Sequence, residues 1–282
     1  MVLTDIVLAR RLERAEAQSN VDFVEARARV FPDSRAAWVD VAGAYAMFDG
    51  VTSPLTQTFG LGLFDAITDA ELERIEQFFQ QRNAPVCHEV SPLADASLLP
   101  LLTSRCYQPI EFTSVMCREI NRDITVSGPS NARLRVRKID ADEHDLWAET
   151  AARGWSESPE LSDFMLTLSQ ISAQRKHTVS FLAELSGRPI ATGAMSLCDR
   201  VALLAGASTI PEGRKQGAQT GLLDARLHYA ADQGCDLAMM CATPGSASQR
   251  NAERQGFRIA YTRIKWKKVQ EGTVPRAPAS GV

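Results

Sequence analysis

The feature that most limits how this chain can fold is the stretch at residues 205–223, which reads AGASTIPEGRKQGAQTGLL. An apolar segment runs into Pro211, and a turn containing Gly213, Gly217 and Gly221 opens a segment that can continue as a helix. Glycine lets a backbone approach a bulky anion without a Cβ atom in the way. The first amides of a helix lack internal partners and favour a phosphate. The pattern therefore predicts a strand, a phosphate-binding turn and a helix.

Side chains in the same turn add to this preference for an anion. Arg214 and Lys215 bring fixed positive charge, and Gln219 and Thr220 can donate further hydrogen bonds. Two familiar phosphate motifs are excluded. Lys215 is followed by glutamine, where a Walker loop needs Ser or Thr, and the glycines do not have the spacing of a dinucleotide fingerprint. An ordinary strand–turn–helix connection with a packing glycine remains the alternative for this segment taken alone.

Composition restricts the classes of protein to consider. The chain has 282 residues, 45% of them hydrophobic and 23% charged, which is ordinary for a globular protein of two domains or one large one. Its net charge is −3 and no block of basic residues stands out, so a nucleic-acid partner is not expected. The most apolar run, 201–207, is far shorter than the roughly 20 residues that span a bilayer, so no membrane partner is expected either.

The cysteines and the N-terminal residues bear on compartment and metal binding. The six cysteines form no C-x-x-C pair and have no histidine at metal-ligand spacing, so we expect reduced thiols and no metal site. Residues 1–11 lack the apolar core and cleavage site of a secretion signal. These observations together favour a cytoplasmic protein.

Apolar periodicity and turn residues predict a mixed α/β chain in two halves. The first half is predicted to contain helices at 5–30, after Thr68 or Asp69, and at 95–105, with strands at 38–48, 55–63, 86–90 and 110–117. The second half is predicted to contain helices at 143–152, 162–172, 220–233 and 246–255, with strands at 134–139, 178–185, 189–197, 201–210, 237–242 and 257–268.

The two halves look related to each other. Tyr107 and Phe257 follow the last helix of each half at an offset of 150 residues, and Pro92 and Pro244 follow equivalent strands at an offset of 152. We therefore predict domains at 1–120 and 133–270, a linker at 121–132 and a loose tail at 271–282.

The turn at residues 214–219 resembles the R/Q-x-x-G-x-G/A turn of the GNAT superfamily of acyl-CoA-dependent N-acetyltransferases. The preceding Ile210-Pro211, the following Leu222-Leu223 and the late Gly256-Phe257 entering a strand are also similar to that family. The resemblance covers residues 134–268 in element order. Residues 58–62 of the first half, TFGLG, resemble a degenerate copy without Arg or Lys. The implied fold is α/β (α+β), with two GNAT-like halves, each a mixed, mostly antiparallel sheet flanked by helices, of which one is a working half.

The resemblance also implies a ligand and its site. Acetyl-CoA would be the acyl donor, with no metal, and the amides of residues 216–220 would bind its pyrophosphate. The preceding strand would splay from its neighbour and bond the pantetheine arm, and a substrate amine would attack the thioester directly. The implied cofactor-binding residues are Ala207, Ser208, Thr209, Arg214, Lys215, Gln216, Gly217, Ala218, Gln219, Thr220 and Asn251.

This sequence departs from the family at the group that protonates the leaving thiolate. The family often has an Asn eleven residues before the late glycine and a Tyr four before it, and this chain has Gly245 and Ala252 there. Asn251 is adjacent, but an amide is a poor acid, and neighbouring helix residues point about 100° apart. Tyr261 on the last strand is the nearest phenol in the sequence that could substitute.

Other candidate residues each have a structural alternative. Glu212 and Glu184 could act as a general base, although surface glutamates are most often simply solvated. Trp155 could form a wall of the acceptor pocket or pack between domains. His144 and His177 are more readily explained as solvated or structurally bonded, and His228, on the helix after the turn, could face either way.

The sequence thus predicts an N-acetyltransferase that moves an acetyl group from acetyl-CoA to a primary amine in a ternary complex. A non-catalytic acyl-CoA-binding protein is the alternative, since no general acid carries over, and a nucleotide-binding module is a third. The acceptor can be a small molecule or a protein. A protein lysine, an amino sugar, a polyamine and an amino acid all stay open, and the net charge mildly favours a cationic amine.

Overall fold

The computed structural model of the protein describes residues 4–124 and 131–269. The predicted tail and residues 125–130 of the predicted linker lie outside these ranges. The first half contains α1 (Ile6–Val30), β1 (Ala37–Val41), β2 (Ala44–Phe48), β3 (Gln57–Phe59), α2 (Asp69–Gln80), β4 (Cys87–Val90), α3 (Leu98–Ser104) and β5 (Tyr107–Glu119). The second half contains β6 (Leu134–Lys138), α4 (His144–Arg153), α5 (Pro159–Ala173), β7 (Thr178–Leu185), β8 (Arg188–Cys198), β9 (Val201–Thr209), α6 (Ala218–Asp232), β10 (Leu237–Ala242), α7 (Ala247–Arg254) and β11 (Arg258–Lys268).

The main local departure from the predicted elements lies in the first half. The strand predicted at 38–48 is two strands, because Ala42 and Gly43 both adopt positive φ angles (52° and 77°) and turn the chain there. Asp40 fixes this turn by accepting a hydrogen bond from the amide of Gly43 at 3.0 Å.

The eleven strands of the described chain form one sheet, in the order β1-β2-β3-β4-β11-β5-β10-β9-β8-β7-β6. Neighbouring strands run antiparallel except at β3–β4 and β9–β10, which are parallel. The mixed, mostly antiparallel α/β fold predicted from the sequence is confirmed. The two halves share this sheet instead of forming one sheet each.

The last strand of each half lies among strands of the other half. β11 pairs with β4 of the first half, and β5 pairs with β10 of the second half. β5 and β11 also pair with each other along most of their length. The boundaries at 121–132 remain a prediction, since hydrogen bonds of the sheet cross between the halves at this exchange.

Helices cover both faces of the sheet. On strand β5, Val115 and Cys117 pack in the cluster that contains Leu8 and Leu12 of α1. Met116, which lies between them and points the opposite way, packs with the cluster that contains Leu222 of α6. α1 and α6 therefore lie on opposite faces of the sheet. A gap between neighbouring strands would join the spaces on these two faces.

Candidate functional site

A gap that joins the two faces of the sheet opens between the parallel strands β9 and β10. They pair only at Val201↔Leu237, Ala202↔Ala238 and Leu203↔Met239, although β9 runs on to Thr209 and β10 to Ala242. Beyond that point β9 stays bonded to β8 across a bulge, where the register shifts between Thr192↔Ser208 and Ala194↔Ala205. The splay predicted from the family resemblance is thus a feature of this fold.

The turn after β9 leaves the start of α6 open. Residues Pro211–Gly213 form a single 3-10 turn, and Lys215 and Gly217 then adopt left-handed φ angles of 61° and 83°. Gly217 is the N-cap of α6, and no side chain accepts a hydrogen bond from the first amides of the helix. Within the described chain, the amides of residues 216–220 donate to no other protein group. These amides and the helix dipole make the turn suited to an anion.

Three cavities follow one another along this region. The turn cavity, of about 220 Å³, is lined by Thr209, Gly213, Arg214, Lys215, Gly217, Ala218, Gln219 and Thr220. The central cleft, of about 520 Å³, is lined by Leu204, Ala207, Gln219, Thr220, Leu223, Arg226, Met240, Ser248, Asn251, Ala252, Arg254 and Gln255. The inner cavity, of about 360 Å³, is lined by Asn20, Phe23, Pro54, Leu55, Trp147, Ala151, Trp155, Met165, Leu168, Ser169, Ser172, Arg175 and residues 205–208.

Shared lining residues connect the three cavities. Gln219 and Thr220 belong to both the turn cavity and the central cleft, and Ala207 belongs to both the central cleft and the inner cavity. The central cleft lies on the α6 face of the sheet, and the inner cavity lies on the α1 face. Ala207 is on β9 beside the gap, so the series of cavities passes through the sheet at the splay.

Most of the predicted cofactor-binding residues meet along this series. A hydrogen bond of 2.7 Å from Gln219 Nε2 to Thr209 Oγ1 ties the start of α6 to the end of β9. Asn251 lines the central cleft and accepts a hydrogen bond from Arg254 at 2.9 Å. Ala252, at the position of the family's tyrosine, lines the same cleft. That wall therefore has no ionisable group where the family often has its acid.

Four of the predicted residues are placed differently from expectation. Arg214 lines the turn cavity, but its guanidinium forms an exposed ion pair with Glu157 at 2.7 Å. Gln216 lines none of the three cavities, and its side chain accepts a hydrogen bond from Asn131 at 3.2 Å. Glu212 is exposed in the 3-10 turn and lines none of them either. Ser208 lines the inner cavity, but its hydroxyl is used in a hydrogen bond to the carbonyl of Ala151 at 2.8 Å.

Tyr261 requires a correction. It is buried on the α1 face of the sheet, where its hydroxyl donates to Glu13 Oε1 at 2.8 Å. Burial and this carboxylate raise the pKa of Tyr261 well above its usual value. Its position outside all three cavities and its bound, poorly acidic hydroxyl are inconsistent with protonating a thiolate in the central cleft.

The remaining candidates have structural partners. His177 Nδ1 lies 3.1 Å from a carboxylate oxygen of Asp22, and His228 lies 3.2 Å from Asp224 on its own helix. Glu184 accepts from Arg137 at 2.8 Å. His144 begins α4 and lines none of the cavities. Trp155, at 42% exposure, lines the inner cavity, and its role as a wall of the acceptor pocket stays a prediction.

Arg226 is a residue of the central cleft that the sequence analysis did not identify. Only 4% of it is exposed, and its guanidinium donates to three carbonyls, those of Leu222 (3.0 Å), Ala194 (3.1 Å) and Ala205 (3.3 Å). Burial lowers the pKa of Arg226 to about 10, so it remains a cation at neutral pH. Its spacing of four from Leu222 and from Ala230, which put it on the buried face of α6, was the available signal.

In the described ranges no cluster of three or more His, Cys, Asp or Glu side chains could hold a metal ion. The helices of the described chain include none with the length and apolarity needed to cross a bilayer.

Residues 141–257 match the family model described as Acetyltransferase (GNAT) family. A solved GCN5-related N-acetyltransferase from Kribbella flavida is similar to the whole chain, with a TM-score of 0.62, 20% identity, and coverage of 93% of this chain and 96% of that one. A GCN5-related N-acetyltransferase from Sphaerobacter thermophilus has a TM-score of 0.55 at 14% identity and covers 94% and 93%. A tandem GNAT protein from the clavulanic acid biosynthesis pathway has a TM-score of 0.55 at 12% identity and covers 79% and 77%. These structures establish the shared fold. No curated protein matches this sequence significantly.

Proposed function

Residues 141–257 of this protein belong to the GNAT acetyltransferase family, and from that premise we propose that the second half transfers an acetyl group from acetyl-CoA to a primary amine. The family implies acyl transfer from acetyl-CoA. The acceptor and the residues that act on it are the part that we propose.

The observation that carries the proposal is the connected series of three cavities at an uncapped helix start. The turn cavity has the free amides and positive charge for a diphosphate. The central cleft opens where β9 loses its partner β10, so backbone groups near Ala207 are free to bond an extended pantetheine arm. The inner cavity reaches the same point of β9 from the opposite face and suits the acceptor.

Arg214 must change partners for the diphosphate to use its charge. Its ion pair with Glu157 is exposed on both sides, and such pairs contribute about 1 kcal/mol at most. A diphosphate brings more negative charge than one carboxylate and can accept bidentate hydrogen bonds from a guanidinium. We therefore expect this ion pair to open when CoA binds.

Acetyl transfer requires the amine nitrogen to bond to the thioester carbonyl carbon while the carbon–sulfur bond breaks and the amine loses a proton. The described lining of the central cleft contains no Asp, Glu, His, Cys or Tyr side chain. A cysteine thiol has a pKa of about 8.5, and a simple alkyl thiol is a weaker acid, so the departing thiolate needs stabilisation near neutral pH. Arg226, a buried cation in this cleft, can provide that stabilisation, and the thiolate can take its proton from water.

The diphosphate site can be tested with Gly217→Asp. This substitution places bulk and negative charge at the uncapped amides, and we expect CoA affinity to fall by about a hundredfold or more in calorimetry. Gly187→Asp is a matched control, because Gly187 also has a left-handed φ of 78° but lies in an exposed turn with no atom near its absent Cβ. Equal CoA affinity in the two variants would reject the site.

The alternative function is acyl-CoA binding without turnover. Gly245, Ala252 and the lack of an acid in the central cleft favour it. Release of free thiol from acetyl-CoA in the presence of a panel of amines separates the two. Acceptor-dependent thiol release supports the enzyme, and CoA binding with no release from any amine supports the binding protein.

A further inference from the structure

The inner cavity carries chemical information about the acceptor, provided that the proposed acetyl transfer is correct. It is built by both halves, with α1 of the first half on one side and α4 and α5 of the second half on another. Its size, about 360 Å³, is in the range of small-molecule pockets. It reaches β9 at residues 205–208, where the transferred group would arrive.

The cavity wall is largely apolar. Aromatic and aliphatic side chains supply most of it, among them Phe23, Leu55, Trp147, Trp155, Met165 and Leu168. None of its described lining residues is Asp, Glu or His. A polyamine or amino sugar would have to bury additional ammonium groups here without a carboxylate, which costs several kcal/mol for each unpaired charge. The wall thus disfavours a polycationic acceptor.

Arg175 is the charged residue in this wall. It lies in the turn between α5 and β7, where its Nε donates to the Ser172 carbonyl at 3.3 Å and its Nη1 donates to Ser19 Oγ at 3.0 Å. A guanidinium has more N–H donors than these two contacts use. Within residues 4–124 and 131–269, no carboxylate comes within ion-pairing distance of it. Its remaining donors are therefore available to a ligand.

Asp22 is the carboxylate that acts electrostatically on Arg175, and other groups already bond it. Its oxygens interact with His177 Nδ1 at 3.1 Å and with Gln18 Nε2 at 3.0 Å. Burial lowers the pKa of Arg175 to about 10, with Asp22 opposing the change. Arg175 is therefore a cation at neutral pH, held at the wall of an apolar cavity by neutral groups.

We propose that the acceptor is an apolar amino acid, whose carboxylate binds Arg175, whose side chain packs in the aromatic wall, and whose amine faces β9 at residues 205–208. The amine nitrogen forms a bond to the acetyl carbon, the carbon–sulfur bond breaks, CoA leaves as the thiolate, and the proton lost by the amine passes to water. The product is an N-acetylated amino acid, which keeps its carboxylate.

Binding to the CoA-loaded protein tests this directly. Calorimetry with L-phenylalanine and with 2-phenylethylamine compares two ligands that differ only in the carboxylate, and spermidine represents the polycations. We expect L-phenylalanine to bind about tenfold or more tightly than 2-phenylethylamine, as is typical when a hydrogen bond to a charged group is lost. Equal affinity of this pair, no binding of L-phenylalanine, or tighter binding of spermidine would overturn the proposal.

Arg175→Gln makes the test specific to this side chain. It should weaken L-phenylalanine by about tenfold or more and leave 2-phenylethylamine almost unchanged. Arg29→Gln removes the same charge from an exposed position that donates to the neighbouring Gln174 carbonyl at 3.0 Å, and it should change neither. Equal effects of the two substitutions on L-phenylalanine would contradict a specific contact with Arg175.

Two further measurements keep the outcomes distinct. If Arg175→Gln lowers the melting temperature enough to disturb folding, Arg175→Lys, which retains the charge, replaces it. Arg175→Lys should bind L-phenylalanine with intermediate affinity. The proposal would be contradicted if Arg175→Lys bound L-phenylalanine no more tightly than the wild type binds 2-phenylethylamine. CoA affinity is measured first for every variant. If the wild type does not bind CoA, the proposed function is contradicted. If it binds CoA but does not prefer L-phenylalanine to 2-phenylethylamine, only the proposed acceptor is contradicted.

Discussion

The helices that follow the parallel strands of the two halves begin in opposite ways. In the first half Thr68 caps α2 by accepting from the amide of Glu71 at 3.3 Å, and Glu71 in return accepts from the amide of Thr68 at 2.8 Å. Asp69 and Glu71 also place negative charge in the first turn. In the second half Gly217 leaves the start of α6 uncapped. The first half thus satisfies the helix start with its own side chains, while the second leaves the first amides of α6 without a side-chain partner.

The strands before these helices differ in the same sense. Each of the short strands β3 and β4 has neighbours on both sides, and Thr58 pairs with His88 and Phe59 with Glu89. A Cβ atom on Gly60 would lie 2.9 Å from the ring of Phe64, so this side chain occupies the space beside the first-half turn. In the second half, β9 separates from β10 and a cleft opens instead. The two halves therefore share the same strand–turn–helix arrangement. In the first half side chains fill the space at the turn and bond the amides at the helix start, whereas in the second half the strand edge and the amides at the helix start stay unpaired.

A buried cluster of charged residues joins the two halves. Arg263 on the exchanged strand β11 is 2% exposed and contacts Glu13 (3.2 Å) and Glu16 (2.8 Å) of α1 and Glu89 (3.1 Å) of β4. Burial raises the pKa of Glu13 to about 7 and also raises that of Glu89. The second half is therefore attached to the first half through β11, which lies between strands of the first half.

The largest effect is expected from Arg263→Leu, which tests whether the two halves fold as one unit. It leaves the buried Glu13 and Glu89 and the partly buried Glu16 without their cation, and loss of one partner from a buried ion pair costs about 3–5 kcal/mol. Urea unfolding monitored by circular dichroism should show this loss in a single transition. Arg258→Leu, at an exposed position of the same strand, should cost less than about 1 kcal/mol. Two separate transitions, or equal losses, would refute the coupling.

The next largest effect is expected on CoA affinity. Thr220→Glu places a carboxylate in the first turn of α6, as Asp69 and Glu71 do in the first turn of α2. The added carboxylate lies where the turn cavity and central cleft meet, so CoA affinity should fall by about a hundredfold through like-charge repulsion. Calorimetry measures this. Thr52→Glu makes the same change at an exposed turn of the first half and should leave affinity unaltered. Unchanged CoA affinity in Thr220→Glu would contradict the proposal that CoA binds at the start of α6.

A pH effect is expected at the junction between the halves. The pKa of Glu13 is about 7 in the folded chain and near 4.5 when unfolded, so between these values the folded state binds the extra proton. The free energy of unfolding should therefore decrease as pH rises from about 4.5 to about 7. Glu13→Gln should flatten this slope, and the exposed Glu73→Gln should not. Urea unfolding across this pH range provides the measurement, and parallel slopes for the wild type and Glu13→Gln would exclude this origin.

The smallest effect is expected from Thr68→Ala, which removes the cap that closes the first-half helix. It should lower the free energy of unfolding by about 1 kcal/mol, as measured in urea, because the amide of Glu71 loses its partner. CoA affinity should stay the same, because α2 lines neither the turn cavity nor the central cleft. A change in CoA affinity above about threefold, roughly 0.6 kcal/mol, would mean that the first-half turn takes part in the site.

The sequence by itself determined the features that depend on short spacings. The turn at 214–220 follows from glycines and a proline within a few residues, and the order of helices and strands follows from apolar periodicity and turn residues. The fold predicted from these motifs is confirmed, and residues 141–257 match the GNAT family model. The CoA contacts at the turn, the splay and the cleft remain a prediction.

Only the tertiary structure decided the features that depend on which distant segments meet. The exchange of β5 and β11, the burial of Tyr261 against Glu13, and the approach of Arg226 to the bulge in β9 each join residues far apart in the chain. Arg175 lines the inner cavity and donates to Ser19 of α1, which belongs to the other half. The physical reason is that helix spacing and turn conformation are set by neighbouring residues. In contrast, the partner of a strand edge or a buried charge is chosen by the packing of the whole chain.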